Sequence, residues 1–133
     1  MAMKIANAKI ETATFGFMYT NSVLCAKLKI ATMENGYLCH YELSFDFRNP
    51  EDVLRLAELM RITEVSEFSD LNGKYIRIGY ISGRGCFGFG NLMEDKFIPM
   101  KSEKFVEVSE KEFTEISLNF LEENFRGSRM PKD

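Results

Sequence analysis

Few residues of this chain could do chemistry, and its single histidine is the natural starting point. His40 follows Cys39 directly, but neighbouring residues of a strand point to opposite faces, so the two cannot easily share one metal ion. Glu42 lies on the strand face of His40 and would supply the carboxylate neighbour that a general base needs. A solvated polar face is the commoner origin of this spacing. We therefore predict neither a metal site nor a catalytic residue.

One nucleotide-binding motif is matched in its glycine spacing but not in its context. Gly83, Gly85 and Gly88 have the spacing of a dinucleotide fingerprint, which requires a helix after the last glycine. Phe87 and Phe89 instead continue a strand pattern. No lysine follows a glycine-rich turn as in a phosphate loop, and no serine stands in a nucleophile elbow. We expect a protein that is not an enzyme and binds no cofactor.

One cluster of basic and aromatic residues remains as a candidate binding site. Arginine can clamp a phosphate, and an exposed aromatic ring can stack on a base. The alternative, which we favour, is that both phenylalanines of the cluster belong to the core. The candidate binding residues are Arg77, Arg84, Phe87, Phe89, Asn91 and Lys96.

These residues lie in or beside Gly73–Asn91, the stretch around which the chain is organised. Side chains alternate along a strand, so Ile76, Ile78 and Tyr80 share one face and form a core candidate. The loop Ser82–Gly85 has hairpin length, and the residues after it return as a strand. The pattern predicts a hairpin at the centre of a sheet.

The return strand carries a strip of glycines. We expect Phe87 and Phe89 on one face of this strand, with Cys86, Gly88 and Gly90 on the other. Glycine in a strand offers nothing to pack, so two on one face suggest that something approaches the backbone closely. We favour a packed helix or a bulge, and the alternative is a ligand lying on the bare strip.

Length and composition limit the remaining choices. The chain of 133 residues is expected to form one domain, 1–133, with a hydrophobic core, since 45% of its residues are hydrophobic. A net charge of −3 argues against a strongly basic nucleic-acid surface. Three cysteines without a short Cys pair fit a reducing cytoplasm. No apolar run is long enough to span a membrane, and the opening lacks the apolar core of a signal peptide.

Three strands are predicted before the first helix. Apolar and polar residues alternate imperfectly over Lys4–Thr14. The alternation is clear over Ser22–Thr32, where the even-numbered residues are apolar and should face inward. Asn35-Gly36 is the strongest hairpin signal in the chain. In the strand that follows, Tyr37–Phe47, the odd-numbered residues are all apolar and should form its inner face.

A helix is predicted over Pro50–Ile62. Asn49 can cap its N-terminus, and proline suits the first helical position. Helical spacing divides the following residues into an inward stripe and a solvated face. The predicted stripe contains Val53, Leu56, Ala57 and Met60, widened by Leu54 and Leu59. The predicted solvated face contains Arg55, Glu58 and Arg61.

Two short extended segments are expected after the central hairpin. Phe97–Met100 contains Pro99, which excludes a central strand position because proline lacks the backbone N–H. Phe105–Val108 is a candidate edge strand. Both lie in the acidic C-terminal third, whose carboxylates serve either solubility or a basic partner.

A second helix is predicted near the C-terminus. Ser109 and Glu112 have the spacing of a capping box. The helix should end near Arg126, with Gly127 as its stop and a loose tail over 128–133. The elements together predict an α+β domain, with a mainly antiparallel sheet of about five strands, one middle helix and one C-terminal helix.

Two segments, KIANAKIETATFGF and NGKYIRIGYISGRGCFGFGNLMEDKF, carry a recognisable pattern. Its elements are an I-x-N-A-K-I opening, then Leu71 with Gly73–Ile78, and finally Gly90-Asn91 with Asp95–Phe97. This pattern resembles small hypothetical proteins of phages and prophages of Gram-positive bacteria. The resemblance covers approximately residues 1–100. Tyr37–Phe47 replaces the family's glycine-rich middle segment, and the C-terminal helix is an addition. The family has no established activity, so the resemblance implies no catalytic residues.

Small phage proteins without enzyme motifs are often inhibitors of host defence, which is an association and not a deduction from residues. We therefore expect a non-enzymatic anti-defence protein that acts in the cytoplasm of the bacterial host. Its partner would be an immune protein, for example a CRISPR effector, or a nucleotide signal that it sequesters.

The alternative function is a single-stranded nucleic-acid-binding accessory module of phage replication, with sheet aromatics as stacking platforms. The net acidity of the chain weighs against it. Exposed sheet edges would also lend themselves to a homo-oligomer. No membrane partner is expected.

Overall fold

Six strands and two α-helices make up a computed structural model that describes residues 2–18 and 23–125. The α+β class and both helices are confirmed, and the sheet has six strands where about five were predicted. The elements are β1 (Lys4–Met18), β2 (Val23–Glu34), β3 (Tyr37–Asp46), α1 (Pro50–Thr63), a 3₁₀ turn (Phe68–Leu71), β4 (Tyr75–Ile81), β5 (Gly85–Gly90), β6 (Phe97–Pro99) and α2 (Glu110–Phe125).

Neighbouring strands all pair antiparallel, in the order β3-β2-β1-β4-β5-β6. β1 is central because its first half, Lys4 to Lys9, pairs with β4, whereas its second half, up to Met18, pairs with β2. The predicted hairpin, β4 with β5, therefore adjoins the centre of the sheet. Pro99 lies in the edge strand β6, as predicted, where its missing N–H interrupts no central ladder.

A bulge explains the irregular alternation of β1. Ile10 lies opposite Ile30, but Thr12 lies opposite Lys29, so Glu11 is an extra residue. A bulge of this kind shifts the alternation of side chains by one position. Inward-facing side chains of β1 therefore have even numbers before the bulge and odd numbers after it.

The sheet curls until β3 approaches β5. The rings of Phe45 and Phe89 lie 6.3 Å apart across the interior, and those of Tyr41 and Tyr80 lie 4.8 Å apart. Because β3 and β5 run in the same direction, the seam between them is parallel. A five-stranded, partly open barrel with a shared first strand and a helix between the third and fourth strands has the topology of an OB fold. β6 and α2 are additions to it.

The barrel interior holds the larger hydrophobic cluster. Its sheet residues confirm the core face predicted for β4 and the even-numbered inward face of β2. The odd-numbered face of β3 is inward from Tyr41 onward, whereas Tyr37 is exposed near the β2–β3 turn. That turn is confirmed, because Asn35 and Gly36 both have positive φ angles, 54° and 83°. The buried sheet residues of the cluster are Ala8, Ile10, Ala26, Leu28, Ile30, Leu43, Phe45, Ile76, Ile78, Tyr80, Phe89 and Ile98.

α1 packs on the open end of the barrel, but its buried face is rotated from the predicted one. Leu56 and Leu59 are buried as expected, whereas Val53 and Leu54 are exposed. Arg55, which was predicted to face water, is only 2% exposed. The prediction failed there because an arginine can be buried when its guanidinium finds enough hydrogen-bond acceptors.

The Arg55 guanidinium joins three parts of the chain. Its Nη1 donates to Asp52 Oδ1 at 2.8 Å, and its Nε donates to the Pro99 carbonyl at 3.1 Å. Its Nη2 donates to the carbonyl of Ser102 at 2.6 Å. Asp52 Oδ2 in turn accepts the backbone N–H of Asp46 at 2.9 Å. This network fastens the end of β3 to the segment that follows β6.

One bulge and one helix account for the glycine strip. Gly79 lies opposite Gly88, but Tyr80 lies opposite Cys86, so Phe87 is an extra residue in β5. The prediction that Phe87 and Phe89 share a face is therefore wrong: Phe87 packs under α2, and Phe89 packs inside the barrel.

The ring of Phe113 from α2 covers Gly88, and Gly90 lies against Lys96 and Phe97. A side chain on Gly88 would place its Cβ 2.5 Å from the Phe113 ring and 2.5 Å from the carbonyl oxygen of Ile98. The favoured alternatives, a packed helix and a bulge, are both present, and the helix leaves no room for a ligand on the strip.

Several predicted boundaries are corrected or refined. β1 continues to Met18 instead of ending at Thr14. Phe105–Val108 forms no strand and contributes only a bridge between Val108 and Phe97. The capping box of α2 is confirmed, since Ser109 Oγ accepts the N–H of Glu112 at 3.2 Å. The predicted strand start at Ser22, the helix end at Arg126 and Gly127, and the tail 128–133 lie outside the described residues.

No helix among the described residues is long and apolar enough to cross a membrane.

We predict that replacing Arg55, whose side chain is 2% exposed, with alanine lowers the free energy of unfolding by about 3–5 kcal/mol, because it leaves the half-buried Asp52 carboxylate without its charge partner and the carbonyls of Pro99 and Ser102 without a donor. Urea denaturation of the purified variant measures this loss. Arg61→Ala on the same helix is the matched control: Arg61 makes the same i,i+3 pair with Glu58, but its own side chain is 65% exposed, so its loss should change stability little. Equal effects of the two variants would contradict the role assigned to Arg55.

Candidate functional site

The predicted binding cluster is not assembled as an open site. Arg77 is half-buried and holds the loop after β5: its Nε donates to the Asn91 carbonyl at 2.7 Å, and its Nη2 donates to the Glu94 carbonyl. Its guanidinium also lies 4.8 Å from the centre of the Phe97 ring. These bonds occupy Arg77 in organising a turn.

Of the other members, Asn91 and Lys96 lie together in the loop that Arg77 holds, where the N–H of Asn91 donates to the Lys96 carbonyl at 3.3 Å, whereas the phenylalanines and Arg84 lie elsewhere. Phe87 and Phe89 are buried on opposite faces of the sheet, so the favoured alternative, that both belong to the core, is confirmed. Asn91 Oδ1 accepts the N–H of Met93 at 2.7 Å and so closes the loop. Lys96 lies 3.8 Å from a carboxylate oxygen of Glu94. Arg84 is exposed in the loop between β4 and β5.

His40 has a different carboxylate neighbour from the one predicted. Its Nε2 lies 3.1 Å from Oε1 of Glu11, the bulged residue of β1, and the small side chain of Ala31 lies between them on β2. Glu42 instead pairs with Lys27 at 3.4 Å. Among the described residues, no group of three or more side chains could hold a metal ion.

Cys39 points to the opposite face from His40, as predicted, and contributes to a polar cluster at one end of the barrel. Lys4 Nζ lies 2.5 Å from Glu34, whose carboxylate raises the pKa of Lys4. Burial raises the pKa of Tyr41 to about 12 and also raises that of Tyr80.

Cys86 lies near this cluster, and its thiol is buried. Burial raises the pKa of Cys86 to about 12, and its Sγ lies 3.4 Å from the carbonyl oxygen of Gly88. A thiolate is the nucleophilic and metal-binding form of cysteine. The Cys86 thiol is therefore not activated as a nucleophile at neutral pH.

The raised pKa of Tyr41 predicts a loss of stability in alkaline solution. An unfolded tyrosine releases its proton near pH 10, whereas folded Tyr41 retains it up to about pH 12. The folded state thus binds more protons over this range, so stability falls as pH rises from about 10 to about 12. Thermal melts across that range should show the fall, and Tyr41→Phe should reduce it. Tyr37→Phe, at an exposed position of the same strand, is the control; an equal effect would contradict the assignment.

An open lysine face lies on the outside of the barrel. We define it as Lys9, Lys27 and Lys29, on the outer faces of β1 and β2, away from the half of the sheet that α2 covers. Lys9 and Lys29 are exposed, and among the described residues neither has a carboxylate at ion-pair distance. The exposed hydroxyls of Thr12 and Thr14 lie beside them on β1.

Sequence reasoning did not single out the lysine face. Lys27 and Lys29 alternate with apolar residues, which is a signal, but the same pattern is typical of any solvated strand face. What makes the face notable is its place on the barrel, on the strands that OB folds use to bind oligonucleotides and oligosaccharides.

A second open surface is a shallow groove beside the end of α1, which we call the α1 groove and define by Ile62, Tyr75, Leu92 and Met93. It has a volume of about 200 Å³, and Glu64 lies at its side. Met93 is 89% exposed and Tyr75 is 55% exposed. Exposed apolar side chains that lie together usually mark a contact surface for another molecule.

Comparisons of the chain with protein-family models, with curated proteins and with solved structures found no match.

Proposed function

We propose that this chain is a non-enzymatic binding protein of phage type that holds single-stranded nucleic acid on its lysine face. The observation that carries the proposal is the position of Lys9, Lys27 and Lys29 on the open outer surface of an OB-type barrel. The protein would act in the bacterial cytoplasm, where phage replication takes place.

The spacing of the lysines suits an extended phosphate backbone. Lys27 and Lys29 are two residues apart on one face of β2, which places their Cα atoms about 7 Å apart. Lys9 lies opposite Ala31, one further step along the same face. The three lysines thus occupy successive outward positions along the face, with Lys9 displaced to the neighbouring strand, and such a row can contact successive phosphates of an extended strand.

An open face of this kind fits a polymer better than a small signalling nucleotide. Small ligands are usually enclosed in concave pockets, whereas Lys9 and Lys29 are exposed. Arg84, in the β4–β5 loop, lies in the second region that OB folds use for nucleic acid.

The chemistry of the face sets the mode of binding. The outer faces of β2 and β3 present no aromatic ring, since the tyrosines and phenylalanines of β3 are on its inner side. Base stacking is then replaced by phosphate contacts, which are independent of sequence and weaken with salt. Glu42 competes with the ligand because it pairs with Lys27.

We predict that the chain binds a labelled oligonucleotide weakly at low salt, with a log–log salt slope of about −2, since each phosphate contact of a single strand contributes about −0.7. The triple variant Lys9→Ala, Lys27→Ala, Lys29→Ala should lose tenfold or more in affinity, and Glu42→Gln should gain affinity. Fluorescence anisotropy over a salt series measures both.

The matched control for these variants is Lys111→Ala, an exposed lysine on α2. It should leave the affinity unchanged. Absence of binding at 20 mM salt, or an equal loss in the control and the triple variant, would refute the lysine face as a nucleic-acid site. If a cyclic nucleotide binds more tightly than the oligonucleotide, the ligand of the lysine face is a nucleotide signal and not a nucleic-acid polymer.

A second candidate function, inhibition of a host defence protein, is favoured by the exposed apolar side chains of the α1 groove. Met93 and Tyr75 could anchor an apolar side chain of such a protein, and Glu64 suits a basic group at its rim. Binding there would act by occlusion, which needs no catalytic residue.

We predict that co-expression of the chain with the sensitive defence system restores phage plating, and that Met93→Glu abolishes this rescue. Met33→Glu, at another exposed methionine, should preserve it. Absence of rescue across a broad panel of defence systems, or equal loss in both variants, would refute this second function.

A further inference from the structure

The second half of β1 has a free edge. β4 pairs with β1 only as far as Lys9, and Asn72 Oδ1 then accepts the N–H of Ala13 at 2.9 Å. In the described part of the chain, no strand follows on that side of β1. Since N–H groups of a strand alternate in direction, those of Phe15 and Phe17 point to the same open side as that of Ala13.

The 3₁₀ turn flanks the start of this edge, where the rings of Phe15 and Phe68 lie 6.3 Å apart, but the edge lacks the charged and proline residues that usually protect an exposed strand. Residues 13–18 contain no charged side chain and no proline. The side chains of Phe15 and Phe17 are 62% and 61% exposed on the inner face of the sheet. Natural proteins usually blunt such edges with lysine, proline or a covering segment, because an open apolar edge invites pairing with another strand.

We propose that two copies of the chain pair through this edge, β1 against β1, antiparallel about a twofold axis at Gly16. In this register Phe15 of each copy lies opposite Phe17 of the other. Both residues have outward backbone groups, so each pair exchanges two hydrogen bonds with a Cα separation of about 5.5 Å. The assembly is independent of the lysine face, which lies on the outer surface.

Self-complementarity is the reason for choosing a second copy as the partner. An axis at Gly16 places the residue without a side chain where the two strands approach most closely, about 4.5 Å between Cα atoms. It also stacks four phenylalanine rings in one row on the inner face, as cross-strand aromatic pairs prefer. An axis at Phe15 would instead require the N–H of Ala13, which already bonds to Asn72.

A cysteine at the axis tests the register directly. Gly16→Cys should form a disulfide between copies under mild oxidation, because the Cα separation at the axis lies within disulfide range. A Cβ on Gly16 meets no atom within 4 Å, so the substitution is tolerated. Cys25 lies directly opposite Gly16 on β2, and Cys25→Ala must therefore accompany it.

The matched control is Thr14→Cys with Cys25→Ala, since two residues at position 14 would lie about 13 Å apart in this register, four strand positions from each other. It should remain unlinked. Linkage of both variants, or of neither, would refute the twofold axis at Gly16.

Sedimentation over a range of concentrations tests the assembly without any cysteine. The unaltered chain should sediment as a dimer, and Phe17→Lys should raise the dissociation constant at least tenfold. Met33→Lys, with 59% exposure on another strand, should leave it unchanged. A monomer at all concentrations, or a dimer that Phe17→Lys leaves intact, would overturn the proposal.

Discussion

The buried guanidinium of Arg55 is the constraint on which the barrel depends. A curled sheet of this order has two ends that do not pair, β3 and β6, and something must hold them near each other. Arg55 does so from α1, with Asp52 on the β3 side and the carbonyls of Pro99 and Ser102 on the other. A buried charge requires all of its partners at once, so the helix can sit on the barrel in one position only.

Much of the fold could be predicted from the sequence because most strands alternate regularly and both helices carry caps. The failures have specific physical causes. Glu11 and Phe87 are bulged residues, and a single extra residue exchanges the faces of everything that follows it. Arg55 was placed in water because its acceptors come from residues more than forty positions away. Local pattern cannot anticipate either event.

The candidate sites were harder to predict than the fold. Phe87, Phe89 and Arg77 looked like a binding cluster because they are close in sequence, but the bulge and α2 place both rings in the core. The lysine face instead combines residues of two strands that are about twenty positions apart, and it is notable only because α2 covers the other half of the sheet. Which half remains open is a property of tertiary packing, and no segment of the sequence encodes it alone.

The long separation between Arg55 and its acceptors has a consequence for synthesis on the ribosome. Residues up to Ser102 must leave the exit tunnel before the guanidinium can find all of its partners. Until then the nascent chain can form β1, β2 and β3, but α1 lacks part of the surface and the hydrogen-bond acceptors on which it packs at the end of the barrel. The domain therefore reaches its final arrangement late, when most of the polypeptide has already emerged.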